Sequence, residues 1–147
     1  MMEKENTQVG FKLNGIKTEQ FAIIEENYVP KKNTDLGTEL QFKLNQINKQ
    51  IAVFLGFEFK QGKKIFLKIQ VSCHFKLDES AWNSFIQENN VIVPKGFLAH
   101  LAMITTGTSR GVLFAKTEAT PFSKFIVPTL NVEEMIKKDA IFDIELN

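Results

Sequence analysis

The side chains that could carry out catalysis are few, and their spacing gives them no partners. The two histidines, His74 and His100, have no cysteine or aspartate at the spacing of a metal site. The single cysteine, Cys73, falls on the apolar face of a predicted strand, where a thiol is typically a small buried hydrophobic group. We therefore expect a protein that is not an enzyme and holds no metal or other cofactor.

Two further patterns resemble catalytic motifs only in part. Residues 105–111 have the small side chains of a phosphate-binding loop, but they lack its Gly-Lys-Ser/Thr ending and do not follow an apolar strand. The pairs Glu25-Glu26 and Glu133-Glu134 are adjacent carboxylates without a visible acid–base partner. Solvated charge, or a favourable position at a helix N-terminus, explains both pairs.

The composition excludes several classes of function. The 147 residues are 44% hydrophobic and 24% charged, which is typical of one globular domain spanning residues 1–147. A formal net charge of +1 provides no basic field for non-specific binding of nucleic acid. The polar first residues predict no signal peptide, and the apolar runs are too short to span a bilayer. With the lone cysteine, these features predict a cytoplasmic protein.

Phenylalanine dominates the aromatic residues, with 14 Phe against one Tyr and one Trp. Its side chain adds apolar area without a polar group, so a core or a partner must cover it. Most Phe residues fall on predicted buried faces. Phe54 and Phe66 instead fall on the polar faces of predicted strands, and Phe122 and Phe125 lie in a predicted loop. Such residues indicate either a ligand groove or an oligomer contact.

Alternation of apolar and polar residues predicts four strands in the first half of the chain. The first strand has a bulge near Gly15 and returns through a long connection, residues 25–38. Short turns join the other three strands into an antiparallel meander with one buried and one solvated face. The predicted strands are 11–24, 40–45, 51–59 and 65–77.

In the second half of the chain, apolar residues recur at the spacing of an α-helix. Asp78 or Ser80 can cap a first helix that ends at Asn89-Asn90. A stripe at helical spacing predicts a long helix from about Pro94 to Ala119. Glycines four residues apart on this helix let another backbone approach closely, so the stripe is also a candidate oligomer interface. The candidate interface residues are Phe97, Leu101, Ile104, Gly107 and Gly111.

The end of the chain carries one more helix signal. Asn131 is a predicted N-cap, with Glu134 three residues later, for a short helix through Ile136. Residues 141–146 alternate like a further strand. The predicted fold class is therefore α+β, in which a four-stranded antiparallel curved sheet precedes a long helix and a short C-terminal helix.

This order of elements resembles the SecB family of bacterial export chaperones. Four segments carry the resemblance over about residues 11–136: FKLNGIKT from Phe11, AHL at 99–101, RGVLFA from Arg110 and FIVPTLNV from Phe125. The resemblance implies a dimer of dimers that captures unfolded polypeptides in hydrophobic grooves without ATP. On this sequence the implied groove residues are Tyr28, Phe122 and Phe125, with Phe54 and Phe66 as the floor.

The charge of the chain departs from the family pattern. SecB proteins are typically acidic, and their acidic sheet face and zinc-binding tail contacts engage the translocase ATPase. Here the net charge is near zero, and Lys68 and Lys76 lie on the solvated face of the predicted sheet. The departure weakens the case for docking on the translocase ATPase but leaves the chaperone fold in place.

From these features we expect a SecB-like holdase for unfolded or pre-secretory polypeptides. One alternative is a hot-dog-like protein that binds a small ligand or an acyl chain, for which His100 and Glu118 on the long helix are the nearest candidates. The other is a purely structural oligomer, or an adaptor or chaperone dedicated to a single partner.

Overall fold

The computed structural model describes residues 9–144, and it confirms the α+β class. A four-stranded antiparallel sheet is followed by a long helix and a short C-terminal helix. The strands are β1 (Phe11–Ile23), β2 (Asp35–Asn45), β3 (Gln50–Gln61), β4 (Lys64–Leu77), β5 (Ile86–Gln87), β6 (Asn90–Val93) and β7 (Ala140–Asp143). The α-helices are α1 (Glu79–Phe85), α2 (Lys95–Thr117) and α3 (Val132–Met135), and 3-10 turns lie at Glu25–Asn27 and Pro121–Lys124.

The large sheet has the strand order β1-β4-β3-β2, with every pair antiparallel. Strands β2, β3 and β4 form the predicted meander. The connection of residues 24–34, which we call the crossover loop, brings β2 to the opposite edge from β1. Side chains of β3 alternate strictly between buried and half-buried positions, so one face of the sheet is the core and the other is open to solvent.

Strand β1 contains the predicted bulge near Gly15. The pairing with β4 steps from Leu13 to Gly15, which leaves Asn14 without a partner on β4. A second step, between Thr18 and Gln20, leaves Glu19 outside the pairing. Bulges bend a strand and increase its twist, which lets a strand of this length follow β4 to its end.

Helix α2 covers the core face of β3 and β4, but its buried side differs from the predicted stripe. Thr105, Ser109 and Thr117 are completely buried, whereas Ile104 and Val112 are only half-buried. The buried hydroxyls donate hydrogen bonds to carbonyls four residues earlier, at 2.7–2.9 Å. Because each hydroxyl is satisfied within the helix, these small side chains can face the sheet, a position that a hydropathy pattern does not predict.

The helix ends follow the predicted caps with small differences. Asp78, one of the two predicted caps of α1, accepts a hydrogen bond from Ala81 N at 2.7 Å. Pro94 is the N-cap of α2 and not its first residue. Asn131 Oδ1 accepts from Glu134 N at 3.3 Å and caps α3 as predicted.

A small second sheet, with the order β5-β6-β7, was not predicted in full. Helix α1 ends at Phe85, before the predicted Asn89-Asn90, because Ile86 and Gln87 pair with β6 in a hairpin. Strand β7 pairs with β6 and confirms three residues of the predicted terminal strand region, 141–143. Residues 145 and 146 of that prediction lie outside the described part.

The hairpin between β5 and β6 offers a stability test at Glu88. This residue has φ +55°, a left-handed conformation that favours glycine at hairpin turns. We expect Glu88→Gly to raise the free energy of unfolding by about 0.5–1 kcal/mol in equilibrium urea denaturation. The control, Glu39→Gly in the middle of β2, should lower it by a similar amount. A loss of stability in Glu88→Gly would contradict this.

Candidate functional site

Residues that could carry catalysis are dispersed or buried. In residues 9–144, no group of three or more His, Cys, Asp or Glu side chains is placed to hold a metal ion. Cys73 is fully buried between the sheet and α2. Burial raises the pKa of its thiol, while hydrogen bonds with Thr105 and Thr108 act in the opposite direction. The thiol therefore stays protonated at neutral pH and out of reach of solvent.

Four aromatic side chains meet where β3 ends and β4 begins. We call Tyr28, Phe66, Phe122 and Phe125 the aromatic cluster. All six pairs of rings have centroids 4.9–6.2 Å apart, within the range of favourable aromatic contacts. Phe59 extends the cluster into the core, with its ring 5.8 Å from that of Phe125. The fold thus brings together four of the five predicted polypeptide-binding residues, from three separate segments.

Two side-chain amides hold the crossover loop so that Tyr28 lies over Phe66. Gln61, at the end of β3 and almost fully buried, accepts from Val29 N at 2.9 Å and donates to Val29 O at 3.0 Å. Asn27 donates to Ile65 O at 2.8 Å. The sequence pattern does not predict the role of either amide, because that role depends on a distant backbone segment and leaves no periodicity.

The 3-10 turn after α2 supplies the other side of the cluster. Thr120 caps this turn: its Oγ1 accepts from Phe122 N at 3.1 Å and donates to Thr117 O at 2.8 Å. Pro121 restricts the backbone at the first position of the turn. Phe125 N then donates to Phe122 O at 3.1 Å. The turn therefore presents its two phenylalanines as one rigid unit.

The aromatic cluster has a buried base and a solvent-facing side. Phe66 and Phe122 are 0% and 4% exposed, whereas Tyr28 and Phe125 are half-buried. Their chain neighbours Val29 and Ile126 are 53% and 54% exposed. The result is a mostly apolar surface whose rings are already in place before any ligand arrives.

The prediction that Phe66 lies on the polar face of its strand is wrong. On β3, Phe59 pairs with Leu67 and Lys60 pairs with Ile65, so Phe66 is an extra residue in β4. The bulge breaks the alternation, and the neighbours Phe66 and Leu67 are both fully buried. Phe66 is thus part of the core, and the other cluster rings cover it.

Phe54 lies apart from the aromatic cluster and is not its floor. It stands on the open face of the sheet, between Gln41 of β2 and Ser72 of β4. Lys43 Nζ is 4.6 Å from its ring centroid, and the ring of His74 is 6.2 Å away. Its strand alternates regularly, so here the predicted polar-face position is correct.

The open face also carries a row of hydrogen bonds centred on Ser72. The Ser72 hydroxyl donates to Glu19 Oε2 at 2.6 Å and lies 2.9 Å from His74 Nε2. Because the hydroxyl has one hydrogen, we assign a proton to His74 Nε2, which then donates to Ser72. Burial lowers the pKa of His74, and Lys17 lowers it further, while Glu19 acts to raise it.

This row predicts a pH dependence of stability. Because the pKa of His74 is lowered on folding, folding favours its neutral form, and the contribution is full above the ordinary histidine pKa. It is lost as the pH falls through that value toward the folded-state pKa. We expect the free energy of unfolding to fall less in His74→Gln than in the unaltered protein between about pH 7 and about pH 5.

Urea denaturation at several pH values measures this difference. The matched control is His100→Gln, which replaces the other histidine of the chain, on α2. Equal pH slopes for His74→Gln and the unaltered protein would contradict the prediction.

The predicted oligomer-interface residues lie on different sides of α2. Leu101 is fully buried against the sheet, so it cannot contact a second chain, and this part of the prediction is wrong. Phe97 is half-buried, with its ring 5.4 Å from Phe11 and 5.6 Å from Phe85. Ile104 is also half-buried. The residues differ from the prediction because the side of α2 that faces the sheet is rotated toward its hydroxyl residues.

Gly107 and Gly111 lie on the exposed side of α2. A Cβ added at either position would meet no atom within 4 Å beyond the chain neighbours and the local helix backbone, so another backbone has room to approach. Met103 and Phe114 are exposed large apolar residues at the same helical spacing. We call these four residues the outer stripe of α2. The sequence pattern predicts the two glycines as interface residues but not the two large side chains.

A second apolar surface is an open groove of about 620 Å³ beside the edge strand β2. Side chains from β2, the start of α2 and the segment after α3 line it, and Lys137 and Lys138 belong to it as well. It was not predicted, because its walls are far apart in sequence. The apolar lining residues are Leu40, Phe42, Leu98, Met135, Ile136 and Ala140.

No protein-family model matches the chain, and no curated protein matches it significantly. In the part of the chain that the structure describes, no helix combines the length and the apolar character needed to cross a membrane.

Proposed function

We propose that this protein is a SecB-like holdase, which binds apolar segments of unfolded or pre-secretory polypeptides without ATP. The observation that carries the proposal is the aromatic cluster: a buried aromatic base with the half-buried, solvent-facing rings of Tyr28 and Phe125 above it. A cytoplasmic location belongs to the proposal, because pre-secretory chains are met there before export.

The physical basis of binding is burial of apolar surface. Each buried aliphatic or aromatic side chain of a client contributes about 1.5–3 kcal/mol, with little dependence on sequence. The hydrogen bonds from Gln61 to the crossover loop and the capped 3-10 turn keep the rings in position, so little ordering is needed on binding. A site of this kind accepts many clients, which is what a holdase requires.

The groove beside β2 supports the same function. Strand β2 is an edge of the large sheet, so its outer backbone groups can pair with an extended polypeptide. Alternate side chains of that polypeptide would enter the groove near Phe42 and Met135. Two separate apolar surfaces on one subunit allow one unfolded chain to be held at two points, which strengthens binding.

The outer stripe of α2 supports self-association within this proposal. Gly107 and Gly111 leave space for a facing helix, and Met103 and Phe114 supply apolar area. A dimer of dimers, as the SecB resemblance implies, would multiply the client sites per particle. Light scattering of the full chain measures the mass directly.

The experiment is suppression of the aggregation of a chemically unfolded client, with the protein in several-fold molar excess and no ATP. We expect suppression by the unaltered protein and its loss in the double variant Tyr28→Ser with Phe125→Ser, which removes only the solvent-facing rings. Phe54→Ala, on the opposite face of the sheet, is the matched control and should retain activity.

The outcomes separate the candidate functions. Absence of suppression by correctly folded protein would overturn the proposal. Capture of one stoichiometric partner, with no suppression of unrelated clients, would instead indicate the dedicated adaptor.

A further inference from the structure

The solvent-facing side of the aromatic cluster carries a positive charge. Lys124 Nζ lies 5.5 Å from the ring centroids of both Tyr28 and Phe125, which are the two half-buried rings of the cluster. Within residues 9–144, no carboxylate forms an ion pair with Lys124. An exposed ammonium group therefore lies over these two rings and remains available to a ligand.

The segments that build the cluster are basic compared with the whole chain. Residues 24–34, 60–66 and 117–126 together contain six lysines and three glutamates, although the chain as a whole has a net charge of +1. The groove beside β2 has a similar character, since Lys137 and Lys138 are among its residues, and its Asp139 carboxylate already accepts from Lys95 N at 2.8 Å. Both apolar surfaces thus combine apolar area with free ammonium groups.

We infer that the aromatic cluster selects apolar polypeptide segments flanked by aspartate or glutamate. This inference rests on the proposed function and specifies its substrate class. An apolar side chain of the client packs on Tyr28 and Phe125, and a neighbouring carboxylate pairs with Lys124. The bound client segment excludes water from one side of this pair, so the pair is stronger than one in open solvent.

The same geometry disfavours basic segments. A client lysine beside the bound apolar residue would lie close to Lys124, and like charges at short range repel. Selection therefore has an attractive and a repulsive part. Both should weaken as salt screens the exposed charges.

Two labelled peptides test the inference. They share one apolar core of leucine and phenylalanine, flanked by aspartates in one and by lysines in the other, and fluorescence anisotropy measures their binding to the full chain. We expect the acidic peptide to bind about 5–10-fold more tightly at about 0.05 M salt, and the difference to shrink at about 0.5 M.

Variants at one position separate charge from structure. Lys124→Glu should abolish or reverse the preference, and Lys124→Arg should keep it. The matched control is Lys12→Glu, which makes the same change in net charge on an exposed residue of β1. Equal binding of both peptides, unaffected by Lys124→Glu, would overturn the inference and leave the holdase proposal intact. Binding of neither peptide would overturn the holdase proposal itself.

Discussion

Replacing Phe66 by alanine is expected to lower the free energy of unfolding by about 3–5 kcal/mol. Phe66 is fully buried, and three other rings of the aromatic cluster lie within 4.9–6.0 Å of its centroid. Its removal leaves a cavity at the centre of the cluster, and the covering rings of Tyr28 and Phe125 lose their support. We therefore also expect a large loss of client binding.

The matched control is Phe54→Ala, the same substitution at a half-buried ring on the open face of the sheet. There the loss should be about 1 kcal/mol, because the side chain gives up less buried area than that of Phe66 and leaves no enclosed cavity. Equilibrium denaturation measures both variants. A similar loss of stability in both variants would contradict the bulge assignment, which places Phe66 in the core and Phe54 on the open face.

The second large effect is expected at Arg110, the only arginine in the chain. Its Nε donates to Val127 O at 2.8 Å and its Nη2 donates to Pro128 O at 3.0 Å. These bonds join α2 to the segment that leads into α3. We expect Arg110→Met to lower the free energy of unfolding by about 1.5–3 kcal/mol, because both carbonyls lose a charged donor.

Arg110→Lys should recover only part of this loss, since an ammonium group cannot reproduce the two-point planar contact. Lys116→Met is the control: it removes a charge from the same helix, where Lys116 Nζ lies 5.4 Å from the ring centroid of Phe21. Hydrogen exchange over residues 125–136 adds a local readout and should increase in Arg110→Met. Unchanged exchange in this segment would show that Arg110 does not hold it.

Much of the large sheet could be predicted, because alternation reports which face of a strand is buried. The strands that became β3 and β4 and the bulge near Gly15 follow from local patterns. The caps at Asp78 and Asn131 are also local, since each side chain bonds to a backbone group three residues away.

The errors arose where a distant segment decides the environment. The buried side of α2 includes Thr105 and Ser109 because their hydroxyls are satisfied inside the helix, and only contact with the sheet makes that side the buried one. The hairpin of β5 and β6 is short, and its pairing with β7 joins residues far apart in sequence. Local propensity carries little information about such contacts.

The candidate site likewise contains residues that local patterns predict and features that they do not predict. Tyr28, Phe122 and Phe125 were predicted from the family resemblance and from aromatic residues in loops. Local patterns do not predict the hydrogen bonds of Gln61 to the crossover loop, the position of the Lys124 ammonium over two rings or the groove beside β2. Each of these depends on where separate segments meet.

The sequence by itself determined the α+β class, the order of the four long strands along the chain and an excess of phenylalanine that a regular core does not need. Only the tertiary structure decided where that excess goes. A single bulge turns Phe66 into the core, and the crossover loop and the turn after α2 bring three more rings onto it. The physical reason is that periodicity is a local property, whereas a side chain is buried by residues that are remote in sequence and adjacent in space.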